Sequence, residues 1–328
     1  MTKESFVKGV ERLVDPVEVG TLHFIEGFTK KIPKNIQDKM VEKSGETTPY
    51  MGFVVEPYSY FLCYELKDLD RAASLLPEGF RLIKTSVFED DEPKYYGIFG
   101  CFNAHTSGFW GLRVEFYIIA EDIQTGLMSW IIIDYDTNTI TYDPKNGFTD
   151  PNASGSLITT DYEGHLHLDV KNSDGRAIVL NSDIGQGKMT QLYDRLWIEG
   201  NLSIAYGRNK MSSHAGKFSL IFNPKEFEKA LRMPKGSYQI EVNNWFPGLF
   251  HDEPSEVACF PYAQHFLSDS PGHASLIFDE NQLTEKVKSV DFNKISVFST
   301  KDVSKVIIAG GVLSAVTNTV LLGLLLLK

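Results

Sequence analysis

Cysteine is scarce in this 328-residue chain, and the three that occur stand far apart, at Cys63, Cys101 and Cys259. No two of them form a Cys-x-x-Cys pair, which argues against a structural zinc site. An odd, scattered set is also unlike the disulfide framework of a small secreted protein. Cysteine usage therefore favours a folded protein of a reducing compartment.

Positive charge is also in deficit. The chain has 32 lysines and arginines against 43 aspartates and glutamates, a formal net charge of −11. No basic stripe interrupts this balance, so we expect no nucleic-acid partner and no strong attraction to anionic lipid. The first twenty residues carry acidic side chains and no apolar run, so we expect no secretory signal peptide.

Several catalytic and metal-binding motifs are missing. No Gly-x-Ser-x-Gly elbow occurs. The segment Asp134–Asn138 resembles the start of a calcium loop, but the glycine and glutamate that such a loop needs are absent. His165 and His167 share a strand face and could begin a metal site, yet no third ligand is identifiable. An exposed polar strand face explains them better, so we predict no metal and no cofactor.

Only one long apolar run is present, Val306–Leu327, and Lys328 follows it. A helix rises about 1.5 Å per residue, so the run is about long enough to cross a hydrocarbon core of roughly 30 Å. We predict a single-pass C-terminal transmembrane helix over 304–328, with the main domain in the cytosol. A buried amphipathic helix is the alternative, but helices of soluble cores rarely stay uncharged for this length.

Small residues cluster within this run and could form a helix–helix contact in lipid. Such a contact would make the protein a homo-oligomer, whereas a monomeric anchor is the simpler alternative. The residues concerned are Gly310, Gly311, Ser314, Ala315 and Asn318.

From Tyr50 onward, short runs rich in β-forming residues recur between Gly, Pro, Asn and Asp. Many alternate, as in His165–Val170, which is typical of half-buried antiparallel strands. The nearly continuous apolar run Leu127–Ile133 is predicted to lie at the centre of the sheet. The predicted strands are Phe61–Leu66, Tyr95–Phe102, Arg113–Ala120, Leu127–Tyr135, Thr139–Tyr142, His165–Val170, Ala177–Leu180, Leu202–Tyr206, Phe218–Phe222, Tyr238–Val242, Ser275–Phe278 and Ile295–Phe298.

Apart from the C-terminal run, helices are predicted at four places. One is amphipathic, over Lys3–Leu13, and one is capped by Asp68 and ends before Pro77. A third is capped by Asn223, and a fourth lies near Met189–Trp197. The Asn223 helix would bury the stripe Phe227, Ala230 and Leu231.

Strands and helices do not alternate regularly, which argues against a doubly wound parallel sheet. We therefore predict an α+β protein that is mostly antiparallel β, a large sheet or barrel with a few peripheral helices. Residues 1–50 are predicted to be an N-terminal extension, 51–300 a single β domain, and 304–328 the membrane helix.

One set of residues stands in a recognisable order: Tyr60-Phe61, Asp68–Asp70, Leu76–Phe80, Asp91-Glu92-Pro93 and His105–Gly108, with a strand containing Arg113 and Glu115 directly after. In this order and spacing the run resembles the N-terminal half of the acetoacetate decarboxylase family. The resemblance extends over about residues 55–280 and is clear over the first sixty of them. It implies a closed antiparallel β barrel or cone around a hydrophobic cavity.

The family's chemistry uses a lysine that forms a Schiff base with a keto group, and this lysine must be neutral to attack. The resemblance implies that Lys145 is the nucleophile. Asn146 stands where the family has a second lysine, and the Gly-Arg-Glu element that precedes the lysine in the family is missing. Taken alone, Asp143–Gly147 is a good turn sequence, so an exposed turn lysine is the alternative.

The resemblance also implies that Glu115 is catalytic, in proton transfer or substrate orientation. Arg113 is two residues away on the same strand face, and we predict that it binds substrate together with His105 and Trp110. If that face is the interior, the Arg–Glu pair could hold a carboxylate. A solvated face with an ordinary ion pair is the alternative.

We therefore expect a membrane-anchored protein that acts on a small hydrophobic keto or carboxylate compound. If the family's chemistry is retained, it is a decarboxylase-like lyase that uses a Schiff base. The alternative is a non-catalytic protein that binds a lipid-like ligand in the cavity of the barrel.

Overall fold

The computed structural model describes residues 3–15, 32–39, 50–106, 110–143, 145–210, 217–269 and 276–295. Antiparallel strands dominate these residues, as the alternating patterns predict. In chain order they are β1 (Tyr50–Val55), β2 (Ser59–Glu65), β3 (Phe80–Leu82), β4 (Tyr96–Thr106), β5 (Trp110–Asp122), β6 (Met128–Thr137), β7 (Thr141–Asp143), β8 (Gly147–Thr149), β9 (Ala153–Thr160), β10 (His165–Asn172), β11 (Ala177–Asp183), β12 (Lys188–Gln191), β13 (Ile204–Tyr206), β14 (Leu220–Phe222), β15 (Lys229–Arg232), β16 (Tyr238–Asn243), β17 (Glu256–Phe260) and β18 (Gln264–Asp269).

Helices within the described ranges are few and short. Two predictions are confirmed: the amphipathic N-terminal helix, and the helix capped by Asp68, whose carboxylate accepts a hydrogen bond of 3.0 Å from the backbone N–H of Arg71. A π-helical turn, Arg195–Glu199, leads directly into a short α-helix. The α-helices are α1 (Lys3–Leu13), α2 (34–39), α3 (Leu69–Leu75), α4 (Gly200–Leu202) and α5 (Glu280–Ser289).

Twelve of the described strands form one sheet, whose main path runs β12-β15-β17-β2-β4-β1-β18-β14. The other edge of β4 carries β5, followed by β6 and β13, and β3 pairs with the end of β5. Two backbone hydrogen bonds of 2.9 and 3.0 Å between Ile204 and Phe218 link β13 to the residues just before β14. The strands β9, β10, β11 and β16 form a second sheet, and β7 with β8 forms a hairpin.

The strand β5 separates two hydrophobic cores. On one face, Val114, Phe116 and Ile118 pack in a core that also takes the inner face of the four-stranded sheet. On the other face, Tyr117 and Ile119 pack in the core that holds α1 and the cavity described below. This division follows from the period of two of an extended strand.

The strand β6 contains most of the predicted apolar strand Leu127–Tyr135, and it is paired on both edges and buried on both faces. A β-bulge interrupts it at Ile133, where the pairing with β5 shifts by one residue. An extra residue reverses the faces that the following side chains take. Asp134 therefore points toward the core shared with the four-stranded sheet, and Tyr135 toward the other core.

The helix α1 packs against β1 and β18 of the large sheet and so contributes to its core. Phe6, Val10 and Leu13 are buried there. Gly52 in β1 permits this close approach, because a Cβ at that position would lie 2.7 Å from the Cβ of Leu13. The first part of the predicted N-terminal extension is thus packed on the β domain.

The predicted helix at Asn223 is only partly correct. Asn223 is the N-cap, and its side chain accepts a hydrogen bond of 3.2 Å from Lys225, but the helix is a single 3-10 turn, Pro224–Phe227. Ala230 and Leu231 belong to β15, which pairs with β12 and β17. Sheet pairing on both edges outweighs the local helical preference of this segment.

Four other predictions differ from the structure or lie outside it. Met189 is in β12, so the helix predicted over Met189–Trp197 begins only at Arg195. Residues 276–278 form no strand, and 296–298 lie outside the described ranges. None of the described helices is long and apolar enough to span a membrane. The predicted span Val306–Leu327 lies outside the described residues.

His265 joins α1 to the sheet through two carboxylates. Its Nε2 lies 3.0 Å from Glu11 Oε1, and its Nδ1 lies 3.1 Å from Glu226 Oε1. Burial opposes the charge of the ring, but these two carboxylates outweigh burial and raise the pKa of His265. The stabilisation is therefore complete below about pH 6.5 and is lost as the pH rises through the raised pKa.

We expect Glu11→Gln to lower the free energy of unfolding by about 0.5–1 kcal/mol near pH 6, a small value because Glu11 is half-exposed and solvent screens the pair. The loss should vanish near pH 9, where His265 is neutral. Urea unfolding followed by circular dichroism at both pH values measures this. Glu4→Gln, on the same helix and paired with Lys8, is the control. An equal loss for Glu11→Gln at both pH values contradicts the assignment.

Candidate functional site

A cavity of about 190 Å³ lies against the inner face of the large sheet. Alternate residues of β1, β4, β5, β6, β13, β14 and β18 line it, as the period of two of a strand requires. Most of the lining is apolar and largely aromatic, and it includes Phe53, Phe61, Trp130, Trp197, Phe218 and Phe266. Polar side chains are a minority of the described lining residues, and Arg113 and Glu115 are the charged ones among them.

Three consecutive inward positions of β5 form a charged cluster in the cavity wall. Arg113 Nε lies 2.9 Å from Glu115 Oε1, and the Tyr117 hydroxyl donates a hydrogen bond to Glu115 Oε2. The side chains of Arg113 and Glu115 are only 17% and 8% exposed. A carboxylate and a guanidinium are thus held side by side in a mostly apolar chamber.

Burial affects the pKa values of the groups in this cluster. It opposes the charge of Arg113, but Glu115 and the surrounding tyrosines outweigh it and raise the arginine's pKa. Burial and the Glu115 carboxylate both raise the pKa of Tyr117 well above its ordinary value. Arg113 therefore remains a cation, and Tyr117 remains a hydroxyl donor, throughout the physiological range.

Tyr135 connects this cluster to a second cation. The Arg113 guanidinium lies 4.6 Å from the centre of the Tyr135 ring, and Lys210 Nζ lies 4.3 Å from it, both within cation–π range. Lys210 Nζ is also 2.8 Å from Asp134 Oδ1. Burial favours a neutral Asp134, but Lys210 and Arg176 outweigh it and lower the pKa of the carboxyl group.

A polar network behind the cavity wall holds β6 in place. The Asp136 carboxylate accepts hydrogen bonds of 2.8 Å from Asn152, 2.7 Å from Asn172 and 3.1 Å from Arg176 Nε. The Arg176 guanidinium lies 3.8 Å from the centre of the Trp245 ring. This network joins the four-stranded sheet to the large sheet, and it occupies the carboxylates that the Ile133 bulge turns away from the cavity.

The structure brings two of the five predicted site residues together in the cavity, Arg113 and Glu115. His105 and Trp110 are not in the lining. His105 Nε2 lies 2.6 Å from Glu56 Oε1, its ring packs 4.2 Å from that of Trp110, and Trp110 is 52% exposed. Their strand positions alternate with inward ones such as Thr106, so they face the other way.

The fifth residue, Lys145, lies in the turn between β7 and β8. Its side chain is exposed, and its Nζ donates a hydrogen bond of 3.1 Å to the backbone carbonyl of Asn209. Gly147, at φ +80°, completes the turn. In the part of the chain that the structure describes, neither Lys145 nor any other lysine lines the cavity.

Several lining residues were not predicted from the sequence. Tyr117 could have been found, because it is the next residue after Arg113 and Glu115 on the same strand face. Ser268 and Gln264 lie on β18, which was not predicted as a strand. The cavity lining contains no histidine and no cysteine within the described ranges, so its donor set does not suit a transition metal.

We expect Glu115→Leu to destabilise the protein by about 3–5 kcal/mol, because it removes the carboxylate that offsets a buried guanidinium. The double variant Arg113→Met/Glu115→Leu should lose less, since no charge is then left in the wall. Urea unfolding of both variants measures the coupling. Glu78→Leu, at an exposed position, should stay within about 0.5 kcal/mol. A double variant less stable than Glu115→Leu contradicts the pairing.

Asp136→Ala should also cost about 3–5 kcal/mol, because Arg176 and the amides of Asn152 and Asn172 lose a shared acceptor. Asp174→Ala, in an exposed turn of the same sheet, is the matched control. Thermal unfolding monitored by circular dichroism distinguishes them. Equal stability of the two variants would show that the network does not hold the sheets together.

No protein-family model matches the chain, and no curated protein matches its sequence. The similar solved structures include acetoacetate decarboxylase from Legionella pneumophila subsp. pneumophila str. Philadelphia 1, at 15% identity over 68% of this chain and 86% of that chain, with a TM-score of 0.40. Another is the enduracididine biosynthesis enzyme MppR complexed with pyruvate, at 11% identity over 68% and 87% of the two chains, with a TM-score of 0.37. Likenesses of this size do not by themselves establish the activity of this chain.

Proposed function

We propose that this protein binds a small compound with an apolar body and a carboxylate or keto group in the cavity of the large sheet. The observation that carries this proposal is the buried Arg113–Glu115–Tyr117 cluster in a mostly apolar wall. Apolar pockets with a few placed polar groups are the usual form of small-molecule sites. The guanidinium would attract the carboxylate, while the Tyr117 hydroxyl, which donates to Glu115, would hold the neighbouring protein carboxylate in place.

The size of the cavity limits the ligand. A cavity of about 150 Å³ takes up benzene, so 190 Å³ suits a compound of roughly six to ten non-hydrogen atoms. A short keto acid or carboxylic acid has this size. A long-chain lipid is larger, which favours the small ligand over the lipid-like alternative.

We further propose that the large sheet closes around this cavity. The pairings β5-β4-β1-β18-β14 run along one side of it, and β5-β6-β13 along the other. The hydrogen bonds between Ile204 and Phe218 join the two ends of this path. The supporting observation is that all seven of these strands contribute lining residues.

Schiff-base decarboxylation is the second candidate. It needs a lysine amine in contact with the ligand, and the surface position of Lys145 favours binding over this chemistry. Membrane anchoring through Val306–Leu327 remains a separate proposal. It rests on the length and apolarity of that run, and it would keep the domain near ligands that dissolve in a bilayer.

Isothermal titration of the full chain with 2-oxohexanoate tests the binding function. We expect binding, and we expect hexan-2-one, which lacks the carboxylate, to bind at least about ten-fold more weakly. The Arg113→Met/Glu115→Leu variant should lose the preference for the acid. His105→Gln, on the adjacent strand but outside the cavity, should bind as the unaltered chain does.

Two results would overturn this proposal: equal binding of the acid by the double variant, or binding of palmitate without binding of 2-oxohexanoate. Borohydride reduction in the presence of 2-oxohexanoate, followed by mass spectrometry, tests the second candidate. An adduct at Lys145 that disappears in Lys145→Ala would favour Schiff-base chemistry. No adduct at any lysine would leave binding as the function.

A further inference from the structure

Side chains that can act as metal ligands lie close together in the turn between β9 and β10. This turn is remote in sequence from the cavity residues of β5. Asp161 begins this turn, and its Oδ1 accepts hydrogen bonds of 2.9 Å from the backbone N–H groups of Glu163 and His165. Its other oxygen, Oδ2, lies 3.1 Å from His165 Nδ1 and 3.3 Å from His167 Nε2. Asp161 is thus the third potential ligand that the sequence pattern of His165 and His167 did not reveal.

The orientation of the His167 ring is set from the opposite side. Asn181 Nδ2 donates a hydrogen bond of 2.9 Å to Glu241 Oε1, which leaves Asn181 Oδ1 directed at the histidine. His167 Nδ1 is 2.8 Å from that oxygen and must therefore donate its proton to it. In neutral His167 the lone pair is then on Nε2, and it faces the lone pairs of the Asp161 carboxylate.

The lone pairs of two atoms 3.3 Å apart repel each other unless a cation lies between them. A metal-bound histidine typically donates its other ring N–H to an oxygen, which fixes the tautomer, and Asn181 serves His167 in that way. In a tetrahedral zinc site with ligands at about 2.0–2.1 Å, donor atoms are about 3.3–3.4 Å apart. The two distances from Asp161 Oδ2, 3.1 and 3.3 Å, are close to this value.

We propose that the β9–β10 turn is a zinc site formed by Asp161, His165 and His167. The donor atoms of Asp161, Glu163 and His165 lie within 4.8 Å of one another, and Glu163 Oε2 is 3.9 Å from His165 Nδ1, so Glu163 is available as a further ligand. Imidazole nitrogens together with carboxylates suit zinc better than magnesium or calcium, which prefer oxygen ligands. The ion would clamp the turn to the outer face of the four-stranded sheet. This site is independent of the function proposed for the cavity.

Isothermal titration of the metal-free full chain with Zn²⁺ tests the site, with Mg²⁺ as the hard-cation comparison. We expect zinc binding that is lost in His167→Gln and in Asp161→Asn, which keeps an oxygen for the backbone N–H groups of the turn. Asn181→Ala should weaken binding by about ten-fold or more, because it releases the ring that it orients. Zinc should also raise the melting temperature of the unaltered chain but not that of His167→Gln.

His251→Gln is the matched control, because His251 is an exposed histidine followed by Asp252 and Glu253. It should bind zinc as the unaltered chain does. Loss of zinc in His251→Gln alone, or unchanged binding in His167→Gln, overturns the proposal. So does an unaltered chain that takes up no zinc, since a proton on His167 would then be the cation that faces Asp161.

Discussion

The structure depends on one strand that must bury both of its faces. Along β5, the alternate side chains from Leu112 to Ala120 are apolar and complete the core shared with the four-stranded sheet. The other set includes Arg113 and Glu115, which no apolar core accepts without compensation. On one face of β5, the neighbouring strands therefore pack against the apolar side chains and complete a core. On the other face, they leave a chamber in which the charges are paired.

The paired charges give the chamber its chemical character at a cost in stability. A buried ion pair is seldom more stabilising than well-packed apolar residues of the same volume, because both charges lose their hydration. Such a pair in a mostly apolar wall is more easily explained by ligand recognition than by stability. Tyr117, Tyr135 and Lys210 extend the polar contacts around it, so that the arginine and the carboxylate are held in one arrangement.

Local patterns in the sequence predicted much of the fold. The helix over Lys3–Leu13, the cap at Asp68 and the burial of β6 on both faces were all predictable, because each depends on a few neighbouring residues. The short strands β1, β15 and β18 were missed, since their identity depends on partners that are remote in sequence. The same limit explains why Ala230 was predicted as helical and is found in a strand.

The sequence by itself determined that Arg113 and Glu115 share a strand face, because successive side chains of any strand alternate. Only the tertiary structure decided that this face borders the cavity and that His105 and Lys145 lie elsewhere. It also decided the direction in which the side chains of Asp134 and Asp136 point. Strict alternation after the run Leu127–Ile133 would put both carboxylates in the cavity, but the bulge at Ile133 turns them to Arg176. A bulge is a mismatch between two paired strands, so its position is set by the register of β5 and β6 and not by the alternation within one strand.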